Sequence, residues 1–326
     1  MNMIKTRITE LLKIRYPILQ GGMQWLSRAE LAAAVSEAGG FGIITAGTFS
    51  SPKELREEIR KTRELTDKPF GVNISMLPTV PRGEMIQDYF DVVCQEKILA
   101  VETAGRNPEP YVAQLKRAGI KLIHKVPGVQ YAQKAESIGA DAVTIVGFEC
   151  GGHPGMDDVT NFIKIPKAAD LVKIPLIAGG GIGDARGLLA ALALGAEGIV
   201  MGTRFLATEE CPIHPRFKEW ILQAQEVDTL IIQRSILNTN RVMKNKAAAR
   251  VLEMENRGAT LEELMNIISG QVGKRAEETG DLDSATIACG QVIGLIRDIP
   301  TVKELIEKMI GEVESILGRL NEFIRA

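Results

Sequence analysis

Over the first two thirds of the chain, short apolar runs alternate with longer stretches in which apolar residues recur at three- and four-residue steps. The runs are PILQGG (17–22), FGIITAG (41–47), PFGVNIS (69–75), AVETAG (100–105), KLIHKV (121–126), AVTIVG (142–147), PLIAGGG (175–181) and GIVMGT (198–203). Between them lie stretches of helical period such as 28–38, 51–65 and 184–194, with Ser51 and Asp184 placed as N-caps. Several of these stretches end on Ala-Gly or Gly-Ala just before the next run, as in 116–126 and 136–147. Glycine there suits a left-handed helix end, and the β-branched run after it suits a buried parallel strand. Strict strand-helix alternation predicts a parallel sheet with helical crossovers, and eight units is the number that closes a (β/α)8 TIM barrel. An open, doubly wound sheet is the rival α/β architecture.

The pattern changes after the eighth run. Residues 215–282 carry helical stretches and no convincing strand, so they are expected to form a small helical cap or substrate domain. Residues 1–214 and 283–326 would then make the barrel with its C-terminal helices. The tail, 301–324, keeps apolar residues at three- and four-residue steps and is predicted to return as an amphipathic helix. Homodimerisation through the cap or this helix is one expectation for those surfaces.

Composition narrows the function classes. Hydrophobic residues are 45% and charged residues 25% of the chain, the balance of a globular protein rather than a disordered one. The formal charge of −2 gives no basic surplus to attract nucleic acid. No apolar run is long enough to cross a bilayer, and the N-terminus lacks the uninterrupted apolar core of a secretory signal, so a cytoplasmic address is expected. Cys94, Cys150, Cys211 and Cys289 are scattered without a CxxC pair, and no metal site is expected.

In a barrel, the residues that close each strand build the active site. The seventh run ends in Gly179, Gly180 and Gly181, and the eighth in Gly202 and Thr203. Glycines before a helix let backbone N–H groups approach an anion, and this pair of loops is where many barrels hold a phosphate. On physical grounds, either a phosphorylated substrate or a phosphate-bearing cofactor fits. Gly21, Gly22, Met23 and Gln24 after the first run would let a planar ring lie against the backbone. Asn73 closes the third run with an amide able to face a heterocycle. Lys125 would carry a charge into the barrel mouth, which is costly unless it meets an anion or an electron-rich ring. The sixth loop, GFECGGHPG (147–155), brings Gly151 and Gly152 before His153, a ring able to donate, accept or shuttle a proton.

The strings QGGMQW, PFGVN, HK, GFECGGHPG, IAGGGIGD and MGTRF, in this order, resemble the nitronate monooxygenase family, formerly called 2-nitropropane dioxygenases. The resemblance spans essentially the whole chain and implies an FMN-dependent barrel oxidoreductase acting on small molecules, with NADH or NADPH as a possible co-substrate. It implies that Gly22, Met23 and Gln24 line the flavin, with Asn73 and Lys125 near the ring and ribityl chain. Gly151 and Gly152 would lie beside the cofactor, and Gly180, Gly181, Gly202 and Thr203 would hold its phosphate. His153 matches the base of the nitronate-oxidising members, and Pro78 matches a mobile-loop proline of the NAD(P)H:quinone reductase branch. The phrases around residues 21–25, 101–125 and 147–155 look closest to that branch, so quinone reduction is the expected activity. Nitronate oxidation by O2 stands second and enoyl-acyl-carrier-protein reduction third. A flavin-binding module without catalysis is the non-enzymatic alternative.

Overall fold

The computed structural model describes residues 4–76 and 83–325. Its main sheet contains β1 (Ile18–Gln20), β2 (Gly42–Thr45), β3 (Phe70–Met76), β4 (Ala100–Gly105), β5 (Lys121–Val126), β6 (Ala142–Val146), β7 (Leu176–Gly179) and β8 (Gly198–Met201). They are hydrogen-bonded in the order β1-β8-β7-β6-β5-β4-β3-β2. Every paired neighbour runs parallel. A parallel bridge between Leu19 and Phe41 joins the two ends, with the Phe41 N–H donating to the Ile18 carbonyl at 2.9 Å. The sheet is therefore a closed (β/α)8 barrel, as the alternation predicts.

Packing leaves the barrel one open end. Leu19, Ile43, Ile123, Ile177 and Val200 cluster inside it with Ile8 and Leu12 of the short helix Arg7–Leu12. That helix is fixed at its start by a reciprocal Thr6–Thr9 capping box. It plugs the N-terminal end, so polar side chains near the strands' C-terminal ends face the remaining opening. Around the barrel, Ser51 caps the helix Pro52–Leu65 by accepting the Glu54 N–H at 3.3 Å. Asp184 caps Ala185–Ala193 by accepting the Arg186 and Gly187 N–H groups at 2.9 and 3.2 Å. The terminal helix Val302–Arg325 buries Val302, Ile306, Met309 and Ile310 against the barrel's outer layer.

Two expectations change. β6, β7 and β8 stop at Val146, Gly179 and Met201, so Gly147, Gly180, Gly181 and Gly202 lie beyond the strands. Gly180 and Gly181 have φ of +95° and +75°, which no extended strand accommodates. Second, residues 215–282 are not all helical. Helices Pro215–Gln223, Lys246–Asn256, Leu261–Ile268 and Gly270–Thr279 accompany an antiparallel hairpin of β9 (Thr229–Ile232) and β10 (Asn240–Met243). Its connection contains neither glycine nor proline, and its positive φ values fall on Gln233 and Leu237. The usual hairpin signal is therefore missing from the sequence.

Candidate active site

The open end is built from strands whose inward positions turn from apolar to polar. Parallel register sets Asn73 beside Glu102, and Ala104 beside Lys125. Asn73 Nδ2 and Lys125 Nζ both donate to Glu102 Oε1 at 2.8 Å. Glu102 is 1% exposed, and its Oε2 has no hydrogen-bond partner among the described residues. The anion that Lys125 requires is thus supplied from β4. His124, the other half of the HK string, is buried and paired with Thr103 Oγ1 through Nδ1 at 2.8 Å. Burial pushes its pKa down to about 4.

The first loop closes over this network. A Cβ on Gly22 would lie 2.6 Å from Asn73 Cγ, so only glycine lets the backbone pass there. Met23 donates its N–H to Ser27 Oγ at 2.8 Å, and its sulfur lies 3.9 Å from the position of a Cβ on Gly202. Loops after β1 and β8 therefore meet. Gln24 is exposed and turned outward, donating to the Gly47 carbonyl at 3.2 Å. Trp25 donates Nε1–H to the Gly270 carbonyl at 2.9 Å, tying the loop to the helix Gly270–Thr279.

The sixth loop is held from outside the barrel. Gly152 and Arg241 of β10 form an antiparallel bridge, exchanging N–H···O bonds of 3.0 and 2.7 Å. The buried Arg241 guanidinium donates twice to the Phe148 carbonyl, at 3.1 and 3.0 Å, and sits 4.5 Å from the Phe148 ring centroid. Gly151 packs against Gly290, whose N–H donates to Thr203 Oγ1 at 2.9 Å. His153 follows this bridge. Its surface is exposed, while the protein groups around the ring desolvate it and push its pKa down to about 4. The ring is neutral at pH 7.

The seventh loop adjoins the sixth, since a Cβ on Gly180 would lie 2.6 Å from Cys150 Cβ. Among the described residues, the N–H groups of Gly180 and Gly181 have no backbone acceptor. Two donors free on a turn that favours glycine make a cradle for an anion. With the unpartnered Glu102 oxygen and the Lys125 ammonium, the opening presents both an anion site and polar contacts for a second group.

Most of the residues expected from sequence converge. Gly22, Asn73 and Lys125 form one group around Glu102, and Gly151, Gly180 and Thr203 form another around Cys150 and Gly290. Met23 and Gly202 meet between the first and eighth loops, while Gln24 turns away to the rim. Pro78 lies outside the described residues. Glu102, Asn161, Arg241 and Gly290 were not singled out by sequence. Only Glu102 carried a signal, as an acid within an otherwise apolar strand.

A family profile described as nitronate monooxygenase matches residues 5–103 and 83–312. The chain belongs to the nitronate monooxygenase family. It is an oxidoreductase, and relatives extend over nearly all of it. A carboxyl-CoA dehydrogenase of Rhodococcus jostii, named for a hydroxy-methyl-oxo-octahydroindene acid, is 32% identical, covering 96% of both chains. A probable nitronate monooxygenase of Staphylococcus saprophyticus is 31% identical over 97% of this chain and 99% of its own. Among solved structures, FabK from Thermotoga maritima is 40% identical with a TM-score of 0.91, covering 98% and 99% of the two chains. A nitroalkane oxidase of Streptomyces ansochromogenes, 24% identical with a TM-score of 0.82 over 97% and 100%, shares the fold.

Proposed function

We propose that the chain is an FMN-dependent, NAD(P)H-linked reductase of α,β-unsaturated acyl thioesters, the enoyl-acyl-carrier-protein reductase type of the family. The observation that carries the thioester is whole-length likeness to a carboxyl-CoA dehydrogenase at 32% and to FabK at 40% identity. Quinone reduction, the first expectation from sequence, we rank behind it on that likeness.

The residues fit FMN. Gly180 and Gly181, with free N–H groups and positive φ, suit its phosphate, and Gly202 and Thr203 border the same loop pair. Thr203 Oγ1 accepts the Gly290 N–H at 2.9 Å, which holds the eighth loop beside the sixth. Gly22, Asn73 and Lys125 suit the ring and ribityl chain, and Glu102 Oε2 has an acceptor to offer a hydroxyl. Bound there, FMN would relay two electrons from the nicotinamide to the acceptor.

The chain's own contribution is orientation and a proton inventory. Lys125, pinned at 2.8 Å by Glu102, keeps a positive charge under the mouth. His153, neutral, offers one N–H to a thioester carbonyl oxygen and so stabilises the enolate that forms when hydride reaches the β-carbon. The α-carbon then takes one proton, and the net change is enoyl thioester plus NAD(P)H and H+ to saturated thioester and NAD(P)+. Met156, Val159, Phe162 and Ile163 stand exposed on and just after the His153 loop, an apolar lip suited to an acyl chain. The segment 215–282 supplies the cap over the mouth.

Nitronate oxidation is the second reading, favoured by the 31% identical probable nitronate monooxygenase and by the neutral His153, which can take a carbon-bound proton as a base. Anaerobic mixing separates the readings. FMN-loaded protein should be bleached by NADH or NADPH and recoloured by a trans-2-enoyl-CoA faster than by benzoquinone. Recolouring by benzoquinone alone returns the quinone reductase, and bleaching by a nitronate without nicotinamide establishes the oxidase.

A further inference from the structure

The helix Asn161–Ala169 starts without a side-chain cap from Thr160. Its first N–H instead donates to the Glu149 carboxylate, at 3.1 Å to Oε1. A negative charge at a helix N-terminus is favourable, so Glu149 fixes where this helix begins. Asn161, 6% exposed, then turns its amide toward the seventh loop. Its Nδ2 donates to the Gly179 carbonyl at 2.8 Å and to the Gly180 carbonyl at 2.6 Å. The reverse amide orientation would set Oδ1 against two carbonyl oxygens, so chemistry settles which atom faces them.

In a trans peptide the N–H points opposite to the C=O. Holding the carbonyls of Gly179 and Gly180 on one side therefore sends the N–H groups of Gly180 and Gly181 to the other. These are the two donors without a backbone acceptor. The two peptides are not equally dependent on Asn161. The Gly179 carbonyl also accepts the Gly147 N–H at 3.0 Å, whereas Asn161 is the donor to the Gly180 carbonyl among the described residues. Gly181 has φ of +75°, and a Cβ there would lie 2.7 Å from Glu149 Cγ, so the turn and its bracket are packed together.

We propose that Asn161 is the positioning residue of the phosphate turn: it aims the Gly180 and Gly181 amides at the anion without touching it. The proposal rests on the FMN reading above. Its signature is selectivity for the phosphorylated flavin, because only the phosphate meets those amides.

The test titrates the full-length protein, stripped of flavin, with FMN and with riboflavin, following flavin fluorescence. Loss of a well-aimed amide to a charged oxygen should lower the riboflavin-to-FMN Kd ratio roughly tenfold or more in Asn161→Ala. The riboflavin Kd itself should stay within about twofold, the scatter expected where no contact is lost. Asn161→Asp, which keeps the size and reverses the donor, should lower the ratio at least as far and serves if the alanine variant does not fold. An equal rise in both Kd values, or an unchanged ratio, overturns the positioning role. Wild-type protein that binds FMN no better than riboflavin sinks the cofactor reading itself, before any variant is measured.

Discussion

The Glu102–Lys125 pair offers a direct test of what supports the barrel mouth. The two groups are 2.8 Å apart, with Glu102 side chain 1% and Lys125 side chain 21% exposed. At an effective dielectric constant of about 20, their gross attraction is on the order of 6 kcal/mol. Taking the carboxylate out of water costs several kcal/mol, so the pair as a whole should contribute little net stability. Removing one partner is a different matter. Lys125→Met leaves a buried carboxylate with only the Asn73 amide and should cost about 3 kcal/mol. Glu102→Met frees an ammonium that can turn partly to solvent, and should cost about 2 kcal/mol despite the orphaned Asn73 donor. The double variant, with two unbranched apolar chains in the same space, should lose no more than about 1 kcal/mol. The coupling is then about 4 kcal/mol, well above the roughly 0.5 kcal/mol within which independent sites add. Urea unfolding of flavin-free protein at pH 7 measures all four corners. Additive losses within that margin would show that the contact does not stabilise the fold, and the account of the mouth would fail with it.

Three other outcomes follow from desolvation. His153, with its pKa down at about 4, is uncharged across pH 5–8, so turnover should show no inflection near 6.5 that disappears in His153→Ala. That variant should lose about a hundredfold in enoyl-thioester turnover while FMN affinity holds, and unchanged turnover would remove the histidine from the chemistry. Burial pushes the thiols of Cys150, Cys211 and Cys289 up to about 12 and raises the half-buried Cys94 as well. Iodoacetamide at pH 8 should therefore label folded protein slowly and at Cys94, and a mass shift at Cys289 would contradict the packing. Glu277 has a buried oxygen without a partner among the described residues, and desolvation pushes its pKa up to about 8. A carboxyl raised above its unfolded value near 4.5 destabilises the fold progressively as pH climbs from there toward 8. Glu277→Gln should accordingly raise Tm more at pH 8 than at pH 5, and an equal shift at both would refute the assignment.

Much of the barrel is legible in the sequence because its signal is local. A buried parallel strand needs a run of apolar, often β-branched residues, and the helices announce themselves through Ser51 and Asp184, whose side chains do accept the expected N–H groups. The glycine turn after β7 is legible for the same reason, since φ of +95° and +75° at Gly180 and Gly181 favours glycine. Long-range pairings leave no such mark. Lys125 signals that it needs an anion, yet nothing in AVETAG states that Glu102 lies across one strand rather than at the rim. Asn161 sits in VTNFI like any residue opening a helix, and its amide's targets are 18 and 19 residues ahead. Arg241 reads as a stray base in NRVM. The hairpin that carries it lacks a glycine turn, so both the strand and its partner loop escape detection.

These pairings divide the opening into two parts with different anchors. The anion cradle is fixed within the barrel, by Asn161 on the carbonyls of β7 and its loop and by Lys164 of the same helix, whose Nζ donates to the Val146 carbonyl at 3.2 Å. The His153 loop is fixed from beyond the barrel, by the Gly152–Arg241 bridge and the guanidinium on the Phe148 carbonyl. Changes in the segment 215–282 can therefore shift His153 and the apolar lip beside it directly, and reach the cradle at one remove, through Glu149 of the same loop. Such an arrangement would let one anion cradle accompany acceptor sites of different shape. The identity of the acceptor should accordingly follow the β9–β10 hairpin and the helices around it. Grafting that segment from a relative of known acceptor should then move substrate preference more than it moves the FMN-to-riboflavin discrimination proposed for Gly180 and Gly181.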